Sequence, residues 1–345
     1  MHPVDDVLAA PFAPLDDADG ARLAREHWGL EPEAVRRLET ERDDTFRIDT
    51  ADGRAVLKVA NPADPADVVD LQCAVLEHVA AADVGIPVPR LQRTSSGERW
   101  ARVAGADGED RIARVLSWVP GSTLDYARTS SDDRRALGAL LARLSIAMSS
   151  FDHPGADRVL AWDLQRLGGL RPQLGHVADP ATRALVADEL DRFDADVAPA
   201  MARVRHQVVH NDANMDNVVV DDAGRPYGIL DFGDMVRTAV VADLAVAMAY
   251  AVPSIEELRD PGVDPWATAY DVAAGYVAVR PLDADEVALL PLLVRGRMAQ
   301  RMLVNSWLAA ENPSNAHHTL RANGHAAAAL PRLRDAVPPR LEVTA

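Results

Sequence analysis

The stretch VVHNDANMDNVVV, residues 208–220, restricts the possible folds of this chain more than any other. A cluster of His, Asp and Asn side chains interrupts two short apolar runs that have the pattern of strands. Burying such groups without hydrogen-bond partners costs on the order of several kcal/mol each. The chain must therefore place them where something compensates for their burial, and we expect this segment at a functional site.

A β-hairpin is predicted directly after this cluster. The letters DDAG separate the apolar segments NVVV and YGIL, which indicates two antiparallel strands joined by a turn. Asn217 precedes the first strand and Asp231 follows the second, so the two side chains should be neighbours at the open end. Amide and carboxylate oxygens are ligands that Mg²⁺ accepts, which predicts a site for Mg²⁺ carrying phosphates. Asp212, on the loop that enters the hairpin, can point into the same cleft.

The charge balance bears on the possible partners. Asp and Glu number 53 against 36 Lys and Arg, and the formal net charge is −17. Nucleic-acid binding needs a basic surface, so no nucleic-acid partner is expected. A small cationic acceptor is compatible with this balance, although acidic surfaces commonly serve solubility alone.

Several features favour a soluble cytoplasmic protein with no membrane contact. The longest apolar run, AVVADLAVAMAYAV, is interrupted by Asp243 and is too short to span a bilayer. The single cysteine, Cys73, excludes an intrachain disulfide. The first residues, MHPVDDVLAAPFAPLDD, lack the basic start of a signal peptide.

Lys58 is the one lysine among 36 basic residues, and the other 35 are arginines. It lies in VLKVA, at the end of a strand–turn–strand pattern whose reversal is ADG. A compositional accident and a selected function both remain open from this observation alone.

Two regions of different character follow one another along the chain. Residues 1–119 are predicted to form a small β-rich lobe with one inserted helix, which Asp64 would cap and Gly85 would follow. Residues 120–345 are predicted to form a larger helical lobe. The apolar face of the inserted helix is Val68, Leu71, Val75 and Val79, and that of the first long helix of the larger lobe is Leu137, Leu140, Leu141, Leu144 and Met148.

The letters HNDANMDN fit His-x-Asp-(four residues)-Asn, and LDFGD supplies a later Asp. Together they resemble the catalytic core of the aminoglycoside phosphotransferase and choline kinase group, relatives of protein kinases. The stretches ERDDTFRI, VLKVANP, RVLSWVPG and AWDLQ are similar to the hydroxylysine kinase-like branch. The resemblance covers roughly residues 20–335 and implies an α+β, two-lobed protein-kinase-like fold with the nucleotide in the interlobe cleft.

The resemblance also implies roles for individual residues. Asp212 would orient or deprotonate the acceptor hydroxyl, while Asn217 and Asp231 would hold Mg²⁺ on the phosphates of ATP or GTP. Lys58 would contact the α- and β-phosphates, where a compact ammonium suits a narrow cleft. The Ser117 carbonyl and the Val119 amide would bind the purine edge.

Other residues are candidates for binding the acceptor or for supporting the loop. Asp234 either binds an acceptor amine or lies in a solvated turn. Trp162 and Asp163 resemble a family signature and either line the acceptor site or belong to the core. His210 and Asp243 are expected to hold the catalytic loop. Three further candidates, for an acceptor carboxylate, are Arg297, Arg301 and Asn305.

Two departures from the family pattern keep other functions open. Gln72 stands where a helix Glu usually pairs with the lysine, so that pairing either falls to Asp70 or is absent. The loop ETERDDTF has no glycine where a Gly-rich turn usually covers the phosphates. The resemblance favours 5-hydroxylysine as acceptor, with aminoglycoside or homoserine-type acceptors open. An inactive kinase-like nucleotide-binding module and a metal-dependent hydrolase are the alternatives from other classes.

Overall fold

The computed structural model describes residue 10 and residues 12–38, 40, 42–83, 85–313 and 316–341. Most of the segment considered as a signal peptide, residues 1–9 and 11, lies outside these ranges, as do Glu39 and Glu41 of the glycine-free loop. The chain divides into two units. The N-terminal unit runs to Pro120 and includes His153–Ala156, and the C-terminal unit comprises Gly121–Asp152 and the residues from Asp157 onward.

The N-terminal unit is built on an antiparallel sheet. Its described strands follow the order β1-β2-β3-β6-β4, and β5 also pairs with β6. One face of the sheet buries Phe46, Leu57 and Val115 together with Leu23 and Trp28 of α1. The elements are α1 (Asp17–Trp28), β1 (Ala34–Leu38), β2 (Asp44–Thr50), β3 (Gly53–Val59), α2 (Ala66–Ala82), β4 (Leu91–Gln92), β5 (Ala101–Ala104) and β6 (Asp110–Ser117).

Helix α2 confirms the predicted inserted helix and corrects its start. Pro65 occupies the N-cap without a side-chain hydrogen bond, so the prediction that Asp64 caps the helix is wrong. The Asp64 carboxylate accepts a hydrogen bond from Arg42 Nη2 at 2.9 Å instead, because a guanidinium offers a charged donor. The predicted apolar face is buried at Val68, Leu71, Val75 and Val79.

Helix α1 is a second helix in this unit. It was not predicted, since the sequence patterns indicate one inserted helix there. Asp16 and Asp19 form a reciprocal capping box at its start, and Gly29 ends it with φ 64°. The capping residues can be recognised in the letters LDDADG. The apolar face of the helix is narrow, so the periodicity does not indicate a helix clearly.

The C-terminal unit is mainly helical. Its strands form two small antiparallel sheets, one ordered β10-β9-β7 and one pairing β11 with β8. Shorter helical turns span Tyr126–Arg128, Met148–Ser150, Leu164–His176 and Phe193–Val197. The other elements are β7 (Ser122–Thr123), α3 (Ser131–Ala147), α4 (Pro180–Arg192), α5 (Ala198–Met201), β8 (His206–Val209), β9 (Val218–Val220), β10 (Pro226–Ile229), β11 (Val236–Ala239), α6 (Val240–Tyr250), α7 (Ile255–Leu258), α8 (Ala267–Val277), α9 (Ala284–Glu311), α10 (Ala316–Leu320) and α11 (Asn323–Asp335).

The core of the C-terminal unit forms around α9 and the α3–α8 pair. Helix α9 packs against α6, α11 and the turn Leu164–His176. The predicted apolar face of α3 is confirmed, since Leu137, Leu140, Leu141, Leu144 and Met148 are all buried. Within the described ranges, no helix is both long enough and apolar enough to cross a bilayer.

Candidate active site

The loop that follows β8 is held by buried side chains on both sides. The Asp243 carboxylate, on α6, accepts a hydrogen bond from the Asn211 backbone N–H at 2.7 Å. His210 Nε2 donates to the Leu230 carbonyl at 2.8 Å, and its Nδ1 accepts from the Asp212 N–H at 3.3 Å. Asn211 lies in the left-handed region at φ 66°, where Asn is tolerated better than most residues. His210 and Asp243 therefore both hold this loop through hydrogen bonds to its backbone.

Asp212 is fixed by two asparagine side chains. Its Oδ2 accepts a hydrogen bond from Asn217 Nδ2 at 2.7 Å, and its Oδ1 accepts from Asn214 Nδ2 at 2.9 Å. Arg297 Nη2 lies 3.8 Å from Oδ1. The side chain is recessed, with 22% of its surface exposed, so its carboxylate has a defined position that a small molecule can still reach.

The surroundings of Asp212 make its carboxylate a stronger proton acceptor. Burial raises the pKa of this carboxyl well above its ordinary value, and the nearby charges of Asp234 and Asp231 act in the same direction. The Arg297 guanidinium and the Asn214 amide oppose the increase. This part of the unit thus gathers three carboxylates near one arginine, a charge pattern suited to cationic groups.

The predicted hairpin is confirmed, and it brings the two predicted metal ligands to its open end. Val218 pairs with Ile229, and the Leu230 N–H donates to the Asn217 carbonyl at 2.7 Å. Asp231 comes directly after this last bonded residue. Its backbone has φ 50°, in the left-handed region that disfavours side chains, and such outliers cluster at functional sites.

The donor set at this end fits a hard divalent cation. The Asn217 side-chain nitrogen is engaged by Asp212, and its Oδ1 accepts no hydrogen bond from the described residues. The Asp231 side chain is exposed, and its Oδ1 accepts from the Gly233 N–H at 3.0 Å. One carboxylate and one amide oxygen leave several positions of an octahedral Mg²⁺ to phosphate and water oxygens. No described group of three or more His, Cys, Asp or Glu side chains is arranged to hold a metal.

The three acceptor candidates differ in their surroundings. Asp234 is half-buried and close enough to Asp212 to raise its pKa. The Trp162 ring lies under the Arg297 guanidinium, 4.8 Å from centroid to Cζ. Asp163 is fully buried and caps the turn that follows it, because its carboxylate accepts hydrogen bonds from the Gln165 backbone at 3.1 Å and side chain at 2.7 Å. The contacts of Asp163 are those of a structural cap, and an acceptor role for it stays a prediction.

Arg158 is a site residue that sequence reasoning missed. Its Nε donates to the Met235 carbonyl at 3.0 Å, and its Nη2 donates to the Gly233 carbonyl. It therefore fixes the backbone on both sides of Asp234. No sequence pattern points to Arg158, since its partners are carbonyls far along the chain.

In the N-terminal unit, Lys58 lies beside a carboxylate that sequence reasoning missed. Its Nζ is 3.5 Å from Asp43 Oδ2, and Arg114 Nη2 is 3.8 Å from the same oxygen. Strand register explains this cluster, because Thr45 pairs with Lys58 and Lys58 pairs with Arg114 across three adjacent strands. Gln72 accepts a hydrogen bond from Arg114 Nη2. The residue at the usual helix Glu position thus supports the arginine next to the lysine.

Asp70, the other residue considered as a partner of Lys58, is engaged by three other side chains. Its carboxylate accepts hydrogen bonds from Arg99 at 3.2 Å and from the Trp100 indole at 3.2 Å, and it lies 3.2 Å from His153 Nε2. The hydrogen bond from His153 is the largest of the effects that lower the pKa of Asp70, and burial opposes them. Asp70 therefore connects α2 to the segment His153–Ala156 of the same unit.

The predicted purine-binding residues follow the end of β6. Ser117 pairs with Ala55, and its hydroxyl accepts a hydrogen bond from the Arg90 N–H at 2.9 Å. The Trp118 N–H donates to the Arg54 carbonyl, whereas the Val119 N–H donates to none of the described residues. A backbone donor at Val119 is thus available to a ligand.

Comparisons with known proteins agree with this combination of fold and site. The model of the phosphotransferase enzyme family, APH, matches residues 34–282. Hydroxylysine kinase of Mus musculus is 24% identical over 329 residues, which cover 88% of this chain and 85% of that protein. A homoserine kinase of Methylobacterium nodulans is 31% identical over 247 residues, 68% of each chain. The solved structure of a microcompartment-associated aminopropanol kinase has a TM-score of 0.70 at 21% identity, covering 91% of this chain and 95% of that one.

These matches define a kinase-like phosphotransferase acting on small molecules. The chain belongs to the phosphotransferase enzyme family, whose model covers well over half of it. The predicted α+β, protein-kinase-like fold class is confirmed.

Proposed function

We propose that this enzyme transfers the γ-phosphoryl group of ATP or GTP to a hydroxyl of a small, amino-bearing acceptor. The acceptor that the relatives favour is 5-hydroxylysine or a close analogue, with homoserine-type and aminoglycoside acceptors as the alternatives. The observation that carries the proposal is the Asp212 carboxylate, held by Asn217 beside the open end of the hairpin. Phosphoryl transfer needs these parts: a positioned base and an oxygen-rich cation site next to it.

Asp212 acts on the acceptor hydroxyl in this mechanism. The acceptor oxygen forms a bond to the γ-phosphorus, the bond from that phosphorus to the β,γ-bridging oxygen breaks, and the nucleoside diphosphate leaves. The hydroxyl proton passes to Asp212, whose raised pKa suits it to accept a proton. Asn217 and Asn214 keep the carboxylate in position through their hydrogen bonds.

Asn217 Oδ1 and the Asp231 carboxylate would hold Mg²⁺ on the nucleotide phosphates. Bound there, the cation would neutralise charge that develops on the phosphate oxygens. The Asn217 side chain would have two functions, because its nitrogen donates to Asp212 and its oxygen would be a ligand of the cation.

Lys58 would contact the α- and β-phosphates, with Asp43 as its carboxylate partner. The Ser117 carbonyl and the Val119 N–H would read the purine edge through backbone groups, which ATP and GTP can both satisfy. Asp234 and the carboxylates around it would attract the acceptor amine. The Asp43 partner also favours an active enzyme over an inactive nucleotide-binding module, because the lysine keeps an anionic neighbour although Gln72 replaces the helix Glu.

A panel assay tests the proposal. Purified protein with Mg²⁺ and either ATP or GTP is incubated with 5-hydroxylysine, homoserine, 1-amino-2-propanol, choline and kanamycin. Release of nucleoside diphosphate and the mass of the phosphorylated product are both followed. We expect acceptor-dependent release with at least one amino-bearing alcohol, and none without Mg²⁺. Nucleotide binding without phosphorylation of any acceptor would favour the inactive module.

A further inference from the structure

Two arginines on one face of α9 are buried one helical turn apart. Arg297 and Arg301 have the spacing i, i+4, and 1% and 5% of their surfaces are exposed. A guanidinium stays protonated in proteins, so this part of the C-terminal unit encloses two positive charges. Taking such a charge out of water is costly unless an anion compensates it.

Two nitrogens of the Arg297 guanidinium have polar partners within the chain, whereas its Nε has no hydrogen-bond partner among the described residues. Its Nη1 donates to the Trp162 carbonyl and to Gln300 Oε1, both at 2.9 Å, and its Nη2 faces Asp212 at 3.8 Å. The ring of Trp162 covers one face of the guanidinium. Through these contacts, Arg297 helps to hold the loop that carries Asp212.

Arg301 has no such compensation among the described residues. Its guanidinium lies over the ring of Tyr250, 4.7 Å from the centroid, and Nη1 lies 3.8 Å from the Met298 sulfur. No described carboxylate forms an ion pair with it. Burial and the neighbouring charge of Arg297 lower its pKa, and Arg301 in turn lowers the pKa of buried His325.

A second polar group without a partner lies in the same neighbourhood. The Tyr126 hydroxyl is buried and has no hydrogen-bond partner among the described residues. Tyr250 is close enough to contribute to the raised pKa of Tyr126, and it also carries the guanidinium of Arg301 on its ring. A buried cation without an anionic partner and a buried hydroxyl without a hydrogen-bond partner, both judged among the described residues, are the complement of an anionic ligand.

We propose that Arg301 binds the carboxylate of an amino-acid acceptor whose hydroxyl reaches Asp212. This inference rests on the proposed function and narrows its substrate class to hydroxylated α-amino acids. The helical rise separates Arg297 from Arg301 by about 6 Å along the axis. A hydroxy amino acid with its hydroxyl on the fourth or fifth carbon, such as homoserine or 5-hydroxylysine, has a comparable length between its carboxylate and its hydroxyl. Amino alcohols and aminoglycosides have no group that would satisfy the Arg301 charge.

The first test compares acceptors that differ in the carboxylate alone. The pairs are 5-hydroxylysine with 1,5-diamino-2-pentanol, and homoserine with 3-amino-1-propanol. The wild-type enzyme is expected to use at least one of these pairs. Because the contact with Arg301 is charge-assisted, kcat/KM should be about 10- to 100-fold higher for the carboxylated member of that pair. In Arg301→Gln that ratio should fall to about one, and Arg301→Lys should restore part of it. Arg143→Gln, which removes an exposed arginine on α3, should keep the wild-type ratio.

A second measurement separates this inference from the proposed function. Calorimetry with L-lysine against 1,5-diaminopentane, and with L-2-aminobutyrate against 1-aminopropane, reports carboxylate binding without turnover. We expect the carboxylated member of one pair to bind more tightly, and Arg301→Gln to abolish the difference. Equal binding within both pairs, or a preference that Arg301→Gln leaves intact, would overturn the role of Arg301 whether or not the enzyme phosphorylates any acceptor. Failure of the acceptor panel with a preserved carboxylate preference would instead reject the proposed reaction.

Discussion

Individual side chains at the open end of the hairpin are expected to have separable functions. Asp231 brings a negative charge on a strained backbone, with φ 50°, and Asn217 brings a neutral oxygen whose amide nitrogen is already engaged. A charged ligand contributes more to holding a cation than a neutral one, which water can replace. The two residues should therefore differ in the size of their effects on nucleotide binding.

Asp231→Asn should raise the Kd of the Mg²⁺–nucleotide complex by about 100-fold, because the charge is lost while an Asn tolerates the left-handed backbone. Asn217→Ala should raise it by about 10-fold. Isothermal calorimetry measures both values, with the exposed Asp216→Asn as the control for charge alone. Wild-type affinity in both variants would remove the cation site from these residues.

Asp234→Asn should raise the KM for the amino-bearing acceptor by about 10-fold and change the nucleotide Kd by less than about threefold. The reason is its position near Asp212, where its charge can pair with an acceptor amine. Steady-state kinetics with the acceptor identified by the panel measure the effect. A raised nucleotide Kd with an unchanged KM for the acceptor would instead assign Asp234 to the cation site.

Sequence patterns predict those residues that act through local spacing. The positions of Asp212, Asn217 and Asp231 could be predicted because one loop and one hairpin place all three, and their roles stay predictions. Asp43 and Arg114 could not, because their proximity to Lys58 depends on the register of three strands. Arg158 could not either, since its partners are distant carbonyls. Arg301 was predicted as a candidate for an acceptor carboxylate, and that role stays a prediction.

Among the helices, α3 and α8 pack closely against each other, and a glycine on each helix makes room for the contact. A Cβ at Gly138 would lie 1.9 Å from the Val272 carbonyl oxygen, and one at Gly275 would lie 1.9 Å from the Arg135 carbonyl oxygen. The apolar face of α3 was predicted from its spacing, but this backbone contact was not. Helical periodicity shows which face is buried and leaves open how close the neighbouring helix comes.

Gly138→Ala should destabilise the protein by about 3 kcal/mol, because the added methyl group must push α8 away from α3. Chemical denaturation with urea measures the change in the free energy of unfolding. Gly175→Ala is the matched control, since a Cβ there meets no atom within 4 Å. Equal stability of the two variants would contradict the close helix contact.

Across the chain as a whole, the predicted nucleotide-binding residues are distributed over both units. The N-terminal unit carries Lys58, Ser117 and Val119, and the C-terminal unit carries Asn217 and Asp231. Lys58 is also the single lysine in a chain that otherwise uses arginine. The division follows composition, because short strands precede Pro120 and long amphipathic helices follow it.

Lys58→Met should lower kcat/KM for the nucleotide by about 100-fold, since a charge-assisted phosphate contact is lost. The sheet should persist, because β2 and β6 still pair with β3. Circular dichroism verifies the fold, and Arg36→Met, an exposed position on β1, controls for the loss of one charge. Unchanged kinetics in Lys58→Met would make the lysine a compositional accident.

If Asp212 is the base of the phosphoryl transfer, an Asp212→Asn variant should lose turnover and keep nucleotide binding. The substitution keeps the shape of the side chain and removes its charge. Its kcat should fall by about 10²–10⁴-fold, the range of a positioned general base, while the Kd of the Mg²⁺–nucleotide complex stays within a few-fold of wild type. Near-normal kcat in a folded Asp212→Asn enzyme would contradict the account.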